Sequence, residues 1–85
     1  MDIQIGTVSH YFDKLGVAVI DVTNQSLNVG DKIKFSGHDN EFTQTVESLQ
    51  MEHKKVEKVR KGDSCGMKVD KPVKEGDTLY LVNHT

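Results

Sequence analysis

Apolar and polar residues alternate along most of the chain with a period of two, the pattern of strands that bury one face. Ile3 and Ile5 hold one phase, and Val8, His10 and Phe12 hold the other, with Gly6 at the slip. A one-residue phase change at a glycine predicts a β-bulge, which bends a strand as barrel closure requires. Asp13-Lys14-Leu15-Gly16 predicts a hairpin turn. It leads into Val17-Ala18-Val19-Ile20-Asp21-Val22, a β-branched run expected to be a central strand buried along much of its length. A polar loop follows over residues 23–28, with Leu27 and Val29 as anchors back to the core. In the next run Ile33 and Phe35 face in, while Lys32 and Lys34 face water. Residues 42–51 read as one long strand. Phe42, Gln44 and Val46 keep one phase and Leu49 and Met51 the other, so a second bulge is expected near Glu47-Ser48.

Val56 and Val59 lie three apart in a charged stretch, which fits one helical or 3₁₀ turn, or an irregular loop pinned by two valines. Cys65, Met67 and Val69 then alternate with Ser64, Gly66 and Lys68. Pro72 breaks the ladder by removing a donor, and Val73 packs as the chain crosses. The last strand covers residues 78–82, with Leu79 and Leu81 inward and Tyr80 and Val82 on the other face; residues 83–85 fray. Gly-Asp occurs at Gly30-Asp31, Gly62-Asp63 and Gly76-Asp77, each time just before an alternating run. Glycine supplies a positive φ and aspartate bonds nearby backbone, so three strands are launched by the same turn chemistry. Their unequal spacing rules out an internal repeat. Six strands with no long helix pattern predict an all-β fold, a small closed six-stranded antiparallel β-barrel forming a single domain over residues 1–85.

Charge changes this picture only locally. The formal net charge of −2 argues against a strongly electrostatic nucleic-acid binder. Residues 1–52 carry 8 acids and 3 bases, whereas residues 53–85 carry 5 acids and 8 bases. Most of the positive charge sits in residues 53–61, where Lys54, Lys55, Lys58, Arg60 and Lys61 outnumber Glu57. Such a loop either touches phosphate or is a solvated turn kept soluble by its charge. The one cysteine, Cys65, has no partner for an internal disulfide, and no apolar run is long enough to span a bilayer. A cytoplasmic protein with no membrane contact is the expectation.

Chemistry-bearing patterns are sparse. There is no glycine-rich phosphate loop. His10, His38, His53, His84 and Cys65 are scattered without metal-ligand spacing, so neither a metal nor a cofactor is implied. Cys65 falls on the inward phase of its strand, where cysteine acts as a small hydrophobe. No nucleophile–base pair stands out, and the chain is expected not to be an enzyme. Glu47 is weighed separately: a carboxylate beside a bulge can be aimed into a shallow pocket, or can simply face solvent.

Taken in order, Ile5-Gly6-Thr7-Val8, Gly16-Val17-Ala18-Val19, the run from Leu27 to Ile33, Thr45-Val46-Glu47-Ser48-Leu49, the run from Lys61 to Met67, and Glu75-Gly76-Asp77 resemble the second domain of translational GTPases. That domain is the β-barrel of elongation factor Tu and its relatives, and the resemblance covers residues 3–82. The chain also resembles the short stand-alone translation elongation factor-like proteins, and the C-terminal barrel of the collagenase-like peptidase family, some of whose members take part in RNA modification. The resemblance to elongation factor Tu implies that Glu47, with Leu49 beside it, holds the terminal adenosine of a tRNA. The segment from Glu47 to Gly62 is longer than in that family, Leu49 stands for an aromatic residue and Gln50 for a basic one, and the GTPase domain is missing.

Two functions follow as expectations. In the first, a non-catalytic module of translation or RNA modification presents a barrel face to tRNA or rRNA. Glu47 and Leu49 form a nucleoside-sized pocket, and Lys54, Lys55, Lys58, Arg60 and Lys61 contact phosphate. In the second, the chain is an accessory subunit that binds a translation or RNA-modification protein in trans, without touching RNA.

Overall fold

The computed structural model describes residues 3–37 and 41–82. Within them every regular element is a strand, and no helix is long and apolar enough to cross a membrane. The strands are β1 (Ile3–Phe12), β2 (Val17–Val22), β3 (Leu27–Asn28), β4 (Lys32–Ser36), β5 (Glu41–Thr45), β6 (Leu49–Met51), β7 (Lys54–Val56), β8 (Lys58–Val59), β9 (Ser64–Lys68) and β10 (Thr78–Leu81). Eight of them form one curled antiparallel sheet in the order β5-β4-β10-β1-β2-β9-β6-β7, and β3 pairs with β8 in a separate ribbon. The all-β expectation holds. The closed six-stranded ring does not: the sheet is a half-barrel with β5 and β7 as unjoined edges.

β1 and β2 make the expected hairpin. Its turn is closed by Gly16 N–H donating to the Phe12 carbonyl at 2.9 Å, with Gly16 at φ 67°. The bulge expected at Gly6 is present, as the pairing of β1 with β10 shifts between Gln4 and Gly6. A second shift, between Val8 and His10, falls within the pairing of β1 with β2. Glycine at position 6 is compulsory, because a Cβ there would lie 1.8 Å from the Asp21 carbonyl oxygen. β2 is central, between β1 and β9. It is buried on one face, through Ala18, Ile20 and Val22, while Val17 and Val19 are partly exposed and Asp21 is exposed.

The Gly-Asp turns share one build. In Asn28–Asp31, Arg60–Asp63 and Lys74–Asp77 the aspartate N–H donates to the first carbonyl of the turn, at 3.1 Å in each case. The glycine in third place has φ between 93° and 100°, as a type II turn requires. Each turn also grips one valine of another strand or link. Gly30 N–H donates to Val46 O, and Val46 N–H donates to Asp31 O. Gly62 and Asp63 hold Val22 in the same way, and Gly76 and Asp77 hold Val8. The three valines are at most 2% exposed, so each clasp pins a backbone position directly above the core. Two of the aspartates also cap their own turns: Asp31 accepts from Asn28 N–H at 3.0 Å, and Asp77 accepts from Lys74 N–H at 2.9 Å.

The core holds Ile5, Ile20, Leu27, Ile33, Phe35, Leu49, Met67 and Leu79, all nearly solvent-free, with Phe35 and Phe42 stacked at 5.1 Å. Cys65 belongs to it, as expected, and Val73 packs against it after Pro72. Gln44 is a buried polar member. Its side chain donates to Lys68 O at 3.0 Å and accepts from Asp70 N–H at 2.8 Å, bridging β5 to the end of β9. The expected turn at residues 38–40 and the frayed end at 83–85 lie outside the described residues.

Two expectations about residues 42–59 are corrected. The single long strand is two, because the chain leaves the ladder at Val46-Glu47-Ser48, where Val46 is captured by the Gly30 clasp. The valine pair is not helical. Val56 ends β7 and Val59 ends β8, since a two-residue turn at Glu52-His53 folds β7 back on β6, pairing Met51 with Lys54. Both turn residues have positive φ, 51° and 65°, as a type I′ hairpin demands.

Candidate functional site

The break between β5 and β6 opens a cavity of about 360 Å³. Three elements build it. The break supplies Glu47 and Ser48, and β6 supplies Leu49, which is 1% exposed and forms the floor. The end of β7 and its continuation supply Lys55, Val56 and Glu57, and the turn after β3 supplies Val29. The walls are therefore apolar below, with two carboxylates and one ammonium at the rim. The fork that creates the space is a backbone event. After Val56 the chain turns away from β6, and Glu57 O accepts from Val29 N–H at 2.9 Å as β8 joins β3.

Of the residues singled out from the sequence, the cavity gathers Glu47, Leu49 and Lys55. Lys54 lies on β7, Lys58 on β8, and Arg60 and Lys61 in the clasp before β9; all are exposed but do not line it. None of these five cations is ion-paired with a described carboxylate. The described ion pair is elsewhere, His10 Nδ1 to Glu75 Oε2 at 3.0 Å. The sequence reading missed Val29, Ser48, Val56 and Glu57. Val29 was expected as a core anchor, yet it is 40% exposed, because the Gly30 turn swings it out of the phase that buries Leu27. The one signal that could have found it is its place next to Gly30, where alternation cannot continue.

Cys65 is not a reactive thiol. Burial, with the Asp21 carboxylate in second place, pushes its pKa up to about 12. Among the described residues no three His, Cys, Asp or Glu side chains gather as a metal-binding group; His38 and His84 lie outside them.

No protein-family model matches the chain. An uncharacterized protease of Methanocaldococcus jannaschii is 37% identical to it over 84 residues, and a collagenase of Porphyromonas gingivalis is 34% identical over 79 residues. The matched segments cover 98% and 92% of this chain, but the chain spans only about a fifth of the length of these relatives, 20% and 19%. Two solved structures share the fold, both of the C-terminal domain of a Geobacillus thermoleovorans "putative U32 peptidase", one as the selenomethionine variant. They superpose with TM-scores of 0.86 and, for the variant, 0.83, at 23% identity. They cover 93% and 89% of this chain, and 91% and 95% of theirs.

The expected likeness to the collagenase-like peptidase barrel is thus met in sequence and in fold. The translation-factor half of the resemblance has no counterpart among these proteins. The expectation of a non-enzyme is overturned, because the relatives are named protease and collagenase and point to peptidase activity. That expectation came from seeking a nucleophile and a base within 85 residues, whereas the relatives' names describe chains about five times longer.

Proposed function

We infer that this barrel serves peptidase chemistry as a substrate-gripping element, holding an unfolded stretch of polypeptide at the cavity beside Glu47. The observation that carries this reading is the cavity itself: an apolar floor of Leu49, Val56 and Val29 under a polar rim, set at the fork of two strands. A concave apolar site with a few polar groups is the usual form of a ligand site. The names of the relatives supply the substrate class, polypeptide. Anisotropy with fluorescein-labelled gelatin tests it. Saturable binding is expected, and Ser48→Trp, which fills the cavity, weakens it at least tenfold with an unchanged circular dichroism spectrum. Gelatin that fails to bind, or binds the variant equally well, defeats the reading.

A second reading has its own observation. Lys54, Lys55, Lys58, Arg60 and Lys61 are exposed, and none is ion-paired with a carboxylate among the described residues, which leaves them to meet RNA phosphates. Labelled tRNA in the same assay decides it. With five phosphate contacts on a single strand, log affinity falls against log salt with a slope of about −3 to −4. A flat response, or no binding at low salt, removes RNA.

A further inference from the structure

We propose that a second hollow, on the outer face of the sheet over Gly66, takes a proline of the same polypeptide that fills the cavity beside Glu47. The proposal rests on the polypeptide reading above and names the kind of residue held next to the cavity.

The first argument is Gly66 itself. Of the chain's seven glycines, six are fixed by the fold: four have positive φ, and a Cβ on Gly6 or Gly37 would run into Asp21 or Asp77. Gly66 is under neither demand. Its φ is not positive, and an added Cβ would meet only a Val17 methyl, at 3.5 Å, an ordinary contact. It sits in the middle of β9, paired with Val19 on one side and Gln50 on the other. A glycine inside a strand weakens it, and commonly marks a bulge, a bend or the close approach of a ligand. The register of β9 with β2 is unbroken from residue 64 to residue 68, and the Gly66 backbone suits any residue, so close approach is what remains. Cys65 and Met67 are buried on the core side, so position 66 faces out. Leaving off its Cβ opens a hollow of about 120 Å³.

The second argument is what surrounds the hollow. Val17, Ser48, Gln50 and Lys68 line it with Gly66. Val17 pairs with Lys68 on one side and Phe12 on the other, so the three side chains share the outer face, and Phe12 is exposed there. One wall is thus apolar. The other carries the Ser48 hydroxyl, the Gln50 amide and the Lys68 ammonium, none of them hydrogen-bonded among the described residues. Hydroxyl and amide can donate, and an ammonium only donates. A segment centred on proline answers both walls. It offers carbonyls with no N–H of its own, and its compact ring lies on the Val17 methyl and the bare Gly66 backbone. Its backbone needs little further ordering, which is how proline-rich segments dock beside aromatic side chains. The third argument is continuity. Ser48 lines both this hollow and the cavity beside Glu47. One extended chain therefore crosses Ser48, with a larger side chain in the 360 Å³ cavity and a proline in the smaller hollow.

The probes are fluorescein-labelled decaproline and labelled gelatin, each titrated by anisotropy against the intact chain. Both are expected to bind the parent. Gly66→Val, which fills the hollow, weakens each at least tenfold without lowering the urea midpoint, since a β-branched residue suits a strand. Gly66→Ala adds a methyl with one ordinary contact, so it keeps the fold even where valine does not, and weakens decaproline at least twofold. Decaproline also shifts the Gln50 side-chain amide in a nitrogen-15 spectrum and leaves that of the buried Gln44 unmoved. Gelatin that binds the parent and both variants alike overturns the proposal and spares the polypeptide reading. Decaproline that fails where gelatin binds, or that binds without moving the Gln50 amide, overturns it too. Gelatin that does not bind at all removes both.

Discussion

Two kinds of tight turn hold this molecule together. The clasps at Gly30, Gly62 and Gly76 put positive φ on glycine, bury a valine and tie distant strands together. The hairpin between β6 and β7 puts positive φ on Glu52 and His53, is exposed, and joins two strands of three residues each. Left-handed backbone costs a non-glycine residue roughly 1–2 kcal/mol, so the clasps are relaxed and the hairpin is strained. The cavity lies where the two meet: the Gly30 clasp supplies Val29 and holds Val46, and the strand after the strained hairpin supplies Lys55 and Val56. Rigid scaffold and less stable segment commonly meet at a binding site in this way.

The comparison can be broken from the scaffold side first. Gly6→Val drives a side chain into the Asp21 carbonyl, and a loss on the order of 4 kcal/mol is expected, enough to unfold much of a small domain. Urea denaturation reads it; a variant as stable as the parent would mean that the β1 bulge is not a fixed point. Gln44→Leu comes next. It strands the Lys68 carbonyl and the Asp70 N–H, for a cost of about 2–3 kcal/mol in the same measurement. Gly62→Ala follows at about 1–2 kcal/mol, a conformational cost alone, since nothing lies within 4 Å of the added methyl.

The strained hairpin should respond with the opposite sign. Glu52→Asn combined with His53→Gly suits a type I′ turn and is expected to stabilise the chain by about 1 kcal/mol. If that change destabilises it, strain is not what separates the hairpin from the clasps. The smallest effect at neutral pH belongs to Cys65. Burial pushes its pKa from the thiol's ordinary 9.0 up to about 12. Its contribution to stability is therefore complete below pH 9 and is lost as pH rises toward 12. Iodoacetamide at pH 8 should label the native thiol far more slowly than the urea-unfolded one. Equal rates would place Cys65 outside the core.

Much of the scaffold was legible because its signals are local. The phase slip at Gly6, the hairpin at Asp13–Gly16 and the three Gly-Asp turns each follow from residue type and spacing. The site was only half legible. Glu47, Leu49 and Lys55 were picked out, but as parts of one strand and one loop. Their meeting depends on Val46 being drawn to the Gly30 turn and on Glu57 bonding Val29, both contacts between residues remote in sequence. Val29 failed for the same reason: apolar periodicity assigns it to a core that the Gly30 turn denies it. The non-enzyme expectation was drawn from this chain's own residue pairs, whereas the names that overturn it belong to relatives about five times longer.

The Gly76 clasp has a consequence for the nascent chain. Val8 emerges from the ribosome well before its backbone partners, Gly76 and Asp77, which are translated almost 70 residues later. Throughout that interval β1 lacks the neighbour on one flank that β10 will provide. Long-range pairing of this kind delays folding until most of the sequence is available. During synthesis the β1–β2 hairpin must therefore wait as an exposed ribbon, and a chaperone that shields apolar strands would find it there.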